Sequence, residues 1–127
     1  MSSLQTPLHK VQGLGASHSG TGHFWRQRIT AVALVPLGLW FGFAMLGLAG
    51  TNEVAVLSFL ARPWNALLMA AFAVILLYHM VLGLQDIVDD YVHTAGMKVF
   101  LRLAILAGAI ATGATSLFAL IRIAAST

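Results

Sequence analysis

Three long runs without a charged residue divide the chain: Ile29 to Gly50, Pro63 to Gln85 and Leu103 to Ile121. Neither strict alternation nor a one-sided apolar stripe organises them; they are apolar nearly all round, which marks helices immersed in an apolar medium. At about 1.5 Å rise per residue, some 20 helical residues cross the roughly 30 Å hydrocarbon layer of a bilayer. The pattern therefore predicts an all-α integral membrane protein forming one domain over residues 1–127. Its expected parts are an N-terminal segment over 1–27 and transmembrane helices over 28–50, 63–89 and 101–122.

Composition agrees with that class. Hydrophobic residues make up 59% of the chain and charged residues 9%, with a mean hydropathy of +0.87, values that exclude an ordinary soluble domain. The pI near 10 comes from seven Lys and Arg against four acids. The cations sit singly or in pairs at the ends of spans, so no basic patch exists to hold a nucleic-acid backbone, and nucleic acid is excluded as a partner. The absence of cysteine excludes, within this chain, a disulfide, a covalently attached haem and a cysteine-held iron-sulfur cluster.

Charge placement predicts the orientation. Lys10, Arg26 and Arg28 precede the first span, and Lys98 and Arg102 lie in or end the second connection, so both regions are expected on the cytoplasmic side. The opposite side receives Glu53 and Arg62 in the first connection and Arg122 near the C-terminus. The first 28 residues lack the apolar core of a cleaved presequence, so the first span is expected to act as an uncleaved anchor. Gly13 to Gly22, rich in Ser, Gly and His, reads as a loop or mobile segment. Pro36 is expected to bend the first helix locally. Gly38 with Gly42, and Gly108 with Thr112, Thr115 and Ala119, form strips of small residues expected to be helix-packing surfaces.

Candidate chemistry concentrates in the second span. His79 is the only histidine within an apolar run, and an ionisable side chain at membrane depth is costly enough to imply a function. At about 100° per residue, His79, Gly83, Asp86 and Asp90 fall in a stripe about 60° wide, along which a flat macrocycle fits. Two readings of His79 stay open: an axial ligand to haem iron through a neutral ring nitrogen, or a histidine hydrogen-bonded between helices. The other histidine nearby, His93, is fourteen positions on, about 21 Å along a helix, and cannot reach the same iron. A second histidine ligand would have to come from another chain, so the span is expected to join a larger helix bundle.

Asp86, Asp89 and Asp90 crowd the C-terminal end of that helix, where the macrodipole already presents negative charge. Compensation by Arg26 and Arg28 across the helix pair is expected, unless the acids are simply solvated or one of them moves protons. Tyr91 brings a phenol to the same membrane edge; it is either an ordinary interfacial aromatic or, beside Asp90, a donor to a quinone carbonyl. On a helix continued ideally, Tyr91 points about 120° away from His79.

His79 to Gly83 and Asp90 to His93, together with Gly20 to Ala31, resemble the smaller membrane-anchor subunits of succinate dehydrogenase, and the number, length and order of spans agree over nearly the whole chain. The resemblance implies that His79 is an axial ligand of haem b, that Arg28 lies near a haem propionate, and that Tyr91 with Asp90 borders a ubiquinone site. It implies a hetero-oligomer with a larger cytochrome b anchor subunit that supplies the other haem histidine, an iron-sulfur subunit, and a flavoprotein holding FAD, in a bacterial inner membrane. The chain would be a non-catalytic anchor, not an enzyme on its own, and ubiquinone would be the substrate reduced at its edge. Asp86 departs from the family pattern, where an apolar or amide side chain is expected. Two other classes compete: a homodimeric b-type cytochrome, and a small proton-transport subunit using the three aspartates, which cluster at one interface and leave the bilayer midplane without an acid.

Overall fold

A computed structural model describes residues 18–126 and, ahead of them, Pro7. Four helices account for nearly all of residues 18–126: α1 (His18–Leu48), α2 (Glu53–Ala61), α3 (Pro63–Tyr91) and α4 (Ala95–Ala125). Three of them, α1, α3 and α4, are long and apolar enough to cross a bilayer, and among the described residues there is no strand. This is the architecture expected where no water is present to satisfy an exposed backbone, since a helix pairs its own peptide groups internally. Lys10 and the expected loop residues 13–17 lie outside the described residues.

The middle span, α3, packs against α1 on one side and α4 on the other, and α2 braces its start. Two stacked aromatic pairs mark these contacts. Phe41 of α1 lies over Phe72 of α3 at 4.7 Å between ring centroids, and Trp40 of α1 faces Phe59 of α2 at 6.3 Å. Val81, Leu82 and Val88 of α3 are buried, as is Ala61 of α2. Helix α4 buries none of its residues, so its outer faces meet lipid or another protein.

Several local features depart from the sequence expectation. Helix α1 starts at His18, so Gly20 to Gly22, read as loop from their composition, are helical. Packing of the following turn against α3 overrides their weak helix propensity. The helical run includes Pro36. The first connection contains α2, an element not foreseen. Asn52 caps it, its side-chain carbonyl accepting from the Ala55 backbone N–H at 2.9 Å, and Pro63 starts α3 at a position where its missing donor costs nothing. Asn65 then donates to the Phe59 carbonyl at 3.0 Å, tying the two helices together. Gly50, at φ 78°, makes the left-handed turn that ends α1.

Neither strip of small residues packs within this chain. A side-chain carbon at Gly38, Gly42 or Gly108 would meet nothing within 4 Å, whereas one at Gly113 would sit 3.3 Å from a Leu77 methyl. The close approach of α3 and α4 thus uses Gly113. Replacing Gly113 by Val should force the two helices apart at a cost of about 1–3 kcal/mol. In detergent-solubilised full-length chain its thermal midpoint should fall, and that of Gly108→Val should not.

Candidate functional site

A polar seam runs between α1 and α3 near one end of the bundle. On α1, His23, Gln27 and Thr30 are spaced four and three residues apart and share a face; on α3, His79, Gly83 and Asp86 do the same. The two helices are consecutive spans that cross in opposite directions, so the early part of α1 meets the late part of α3. Three rungs result. Thr30 Oγ1 lies 2.8 Å from His79 Nδ1; Gln27 approaches the backbone at Gly83; and His23 Nε2 lies 2.7 Å from Asp86 Oδ1.

Thr30 is the one buried polar residue among those described, at 8% exposure. Its hydroxyl also contacts its own helix, 2.7 Å from the Arg26 carbonyl and 3.0 Å from that of Gln27. His79 is therefore hydrogen-bonded between helices, the plainer of the two expectations for it, yet only one ring nitrogen is engaged in that bond. At Gly83 a side-chain carbon would stand 3.6 Å from Gln27 Nε2. The glycine faces α1 at this point, and a side-chain carbon there would touch the glutamine at ordinary van der Waals distance.

The His23–Asp86 approach is too oblique for an aligned hydrogen bond, so it is a charge contact when the imidazole is protonated. Gln27 Oε1 is buried beside it without a hydrogen-bond partner. A cleft of about 460 Å³ opens here, with His23, Arg26, Gln85, Asp86, Asp89 and Arg102 among its walls.

The expected compensation of the acids by Arg26 and Arg28 is not what forms. Arg26 turns back to donate from Nε to the Gly22 carbonyl at 3.1 Å, and Arg28 lies over the Phe24 ring, 5.1 Å from its centroid. Neither guanidinium forms an ion pair with Asp86, Asp89 or Asp90. Asp86 takes His23, and Asp89 is held by Arg102 on both carboxylate oxygens with Lys98 at 3.9 Å. Lys98 and Arg102 lie in the first turns of α4, which follows α3 after a three-residue connection, and this brings them to the end of α3.

Asp90 and Tyr91 stand apart from the seam. Both are exposed, Tyr91 at 79%, and both belong to the last turn of α3. Because the helix is continuous through Tyr91, that side chain leaves about 120° away from His79 and about 18 Å further along the axis. Arg28 lies about 160° around α1 from Thr30, whereas Arg26 is within about 40° of it. Among the described residues no three His, Asp or Glu side chains converge as a metal cage. A porphyrin supplies four nitrogens of its own and asks the chain only for an axial ligand, so a single membrane histidine with one nitrogen anchored fits haem better than it fits a bare ion.

Thr30, His23 and Arg102 were not singled out as partners from sequence. The readable signal was the four-and-three spacing of His23, Gln27 and Thr30 opposite the same spacing on α3, which becomes informative once α1 is known to begin early enough to include His23.

The family model for the succinate dehydrogenase/fumarate reductase transmembrane subunit matches residues 2–119. The chain is similar to the succinate dehydrogenase hydrophobic membrane anchor subunit of Paracoccus denitrificans, 30% identical over 103 residues that cover 81% of this chain and 80% of the relative. It is also similar to that of Rickettsia bellii, 30% identical over 89 residues covering 70% and 71%. The succinate dehydrogenase membrane anchor subunit of Reclinomonas americana is 35% identical over 78 residues, covering 59% of this chain and 65% of the relative. No solved structure gives a significant match.

Proposed function

The chain belongs to the succinate dehydrogenase/fumarate reductase transmembrane subunit family, as a multi-pass inner-membrane protein, and we propose that it anchors a succinate dehydrogenase, holds one side of haem b and borders the ubiquinone site. The observation that carries the finer part is His79: a histidine in the middle span, fixed at Nδ1 by a neighbouring helix.

On this reading His79 would hold the haem through the ring nitrogen that Thr30 leaves free, and a larger cytochrome b anchor subunit would supply a second histidine. Haem b, when bound, supplies a one-electron redox centre within the bilayer. Arg28, exposed on α1, is available to a propionate from the outer side. The chain forms a single membrane-anchor domain whose N-terminal segment is cytoplasmic, and it carries neither FAD nor iron-sulfur clusters; those belong to the flavoprotein and iron-sulfur subunits docked on the cytoplasmic face.

Tyr91 and Asp90 stand at that face. The Tyr91 hydroxyl donates to a quinone carbonyl, and Asp90 beside it, open to water, passes protons as the quinone is reduced. Their high exposure supports this role, because an exposed residue in the last helical turn is accessible to a partner and a substrate. Asp86 faces His23, and Asp89 is paired with Lys98 and Arg102, which supports a charge-pairing role for these acids over a proton relay.

A complex purified through this chain in gentle detergent should carry flavin, iron-sulfur and low-spin b-haem signals together; haem on the chain alone, with no such partners, would favour the homodimeric cytochrome. His79→Ala should abolish or severely disturb the haem spectrum of the assembled complex, and a normal low-spin spectrum would remove His79 as ligand. Tyr91→Phe deletes one hydroxyl and almost no volume. Succinate-to-quinone activity should fall about 10- to 150-fold, as expected for loss of one strong hydrogen bond of about 1.5–3 kcal/mol. Haem content and succinate oxidation with a soluble artificial acceptor should persist. Topology reporters fused after Gly50 and after Ala125 should report the side opposite to the N-terminus; detection of Tyr91 on that opposite side would end the quinone assignment.

A further inference from the structure

We propose that Thr30 is a positioning residue that sets the tautomer of His79 and presents its Nε2 lone pair, an inference that rests on the haem-ligand reading above. A threonine hydroxyl has one proton and two lone pairs. In the interior of a helix that proton is drawn to the carbonyl one turn back, and the Arg26 carbonyl stands 2.7 Å from Thr30 Oγ1, with the Gln27 carbonyl at 3.0 Å as a second acceptor. With its proton spent on its own helix, Thr30 can meet the His79 ring only as an acceptor. The 2.8 Å contact is then Nδ1–H donating to Oγ1.

That assignment has a chemical consequence. A neutral imidazole carrying its proton on Nδ1 has an unprotonated Nε2, which is the form that binds iron. The ring is also fixed in rotation, because the hydroxyl is buried and cannot be replaced by water. Electron density donated through the Nδ1–H bond raises the basicity of the opposite nitrogen, an effect that outer partners of metal-bound histidines generally exert. Thr30 thus acts through His79 and does not touch the iron.

The first test needs no haem and no variant. In the full-length chain, labelled with 15N at histidine and kept in detergent without haem, the His79 signals, identified by their loss in His79→Ala, should show a protonated Nδ1 and a pyridine-type Nε2. The opposite tautomer in the unaltered chain would overturn the proposal. The second test uses the assembled complex. Thr30→Val keeps the shape and removes the hydroxyl; haem retention should weaken about 10- to 100-fold. In the haem that remains, the midpoint potential should rise and the low-spin EPR g values should move, because the ligand becomes less electron-rich. Thr30→Ser should restore all three. Unchanged potential, g values and retention in Thr30→Val, with haem lost in His79→Ala, would overturn the role of Thr30 and leave His79 as ligand. Haem intact in His79→Ala would instead overturn the ligand assignment on which the inference stands.

Discussion

An imidazole in a medium without water must find its hydrogen bond on a neighbouring helix, and the Thr30–His79 contact is where this chain meets that requirement. The contact fixes more than one side chain. Because His23, Gln27 and Thr30 face Asp86, Gly83 and His79 in reverse order, satisfying one rung aligns the other two. A slip of one residue, about 1.5 Å along the axis and 100° around it, would turn all three rungs away together. Gly83 lies against Gln27 at the centre of the seam. The helix register and the placement of His79 are thus set by the same few side chains.

A second constraint operates where α3 gives way to α4. The C-terminal end of α3 carries partial negative charge and also Asp86, Asp89 and Asp90; the N-terminal end of α4 carries partial positive charge and also Lys98 and Arg102. Each helix is unfavourably charged for its own dipole. Brought together by a three-residue connection, they neutralise one another, with Arg102 closing on both oxygens of Asp89. In water an exposed pair of this kind is worth no more than about 1 kcal/mol, yet here the two helix ends compound the attraction. Asp90 lies outside the pairing, at the rim.

The three spans were legible because a bilayer imposes a length and a polarity that need no knowledge of packing. What escaped is what depends on neighbours. Helix α2 was hidden because its nine residues are short for an independent helix and it leans on α3 and α4; the Asn52 cap and Glu53 in the first turn were its local marks. The helical start at His18 was masked by Ser19, Gly20 and Gly22, residues whose propensities favour turns. For the site, His79, Asp86 and the cluster of acids stood out by type and position. The identity of their partners did not, because long Arg side chains on α1 were equally plausible until Arg26 and Arg28 were seen to be engaged on their own helix. Thr30 gave no signal by residue type, since threonine in a membrane helix is ordinary; its importance comes only from the position opposite His79.

The proposed division of labour within α3 follows from its continuity. Twelve positions separate His79 from Tyr91, a rotation of about 120° and a rise of about 18 Å. On the proposed reading, one continuous helix would present a haem ligand on one face and, about 18 Å further along, a phenol at the rim on another. A quinone at the rim need not displace the haem, and protons can reach it from water without crossing the apolar layer. The seam supplies one nitrogen from one side, the rim supplies one hydroxyl and one carboxylate, and the faces of Gly38, Gly42 and Gly108 stay open. On the proposed reading both pockets close only when a second set of helices is laid against these faces, so that assembly of the complex and completion of its redox path are one event.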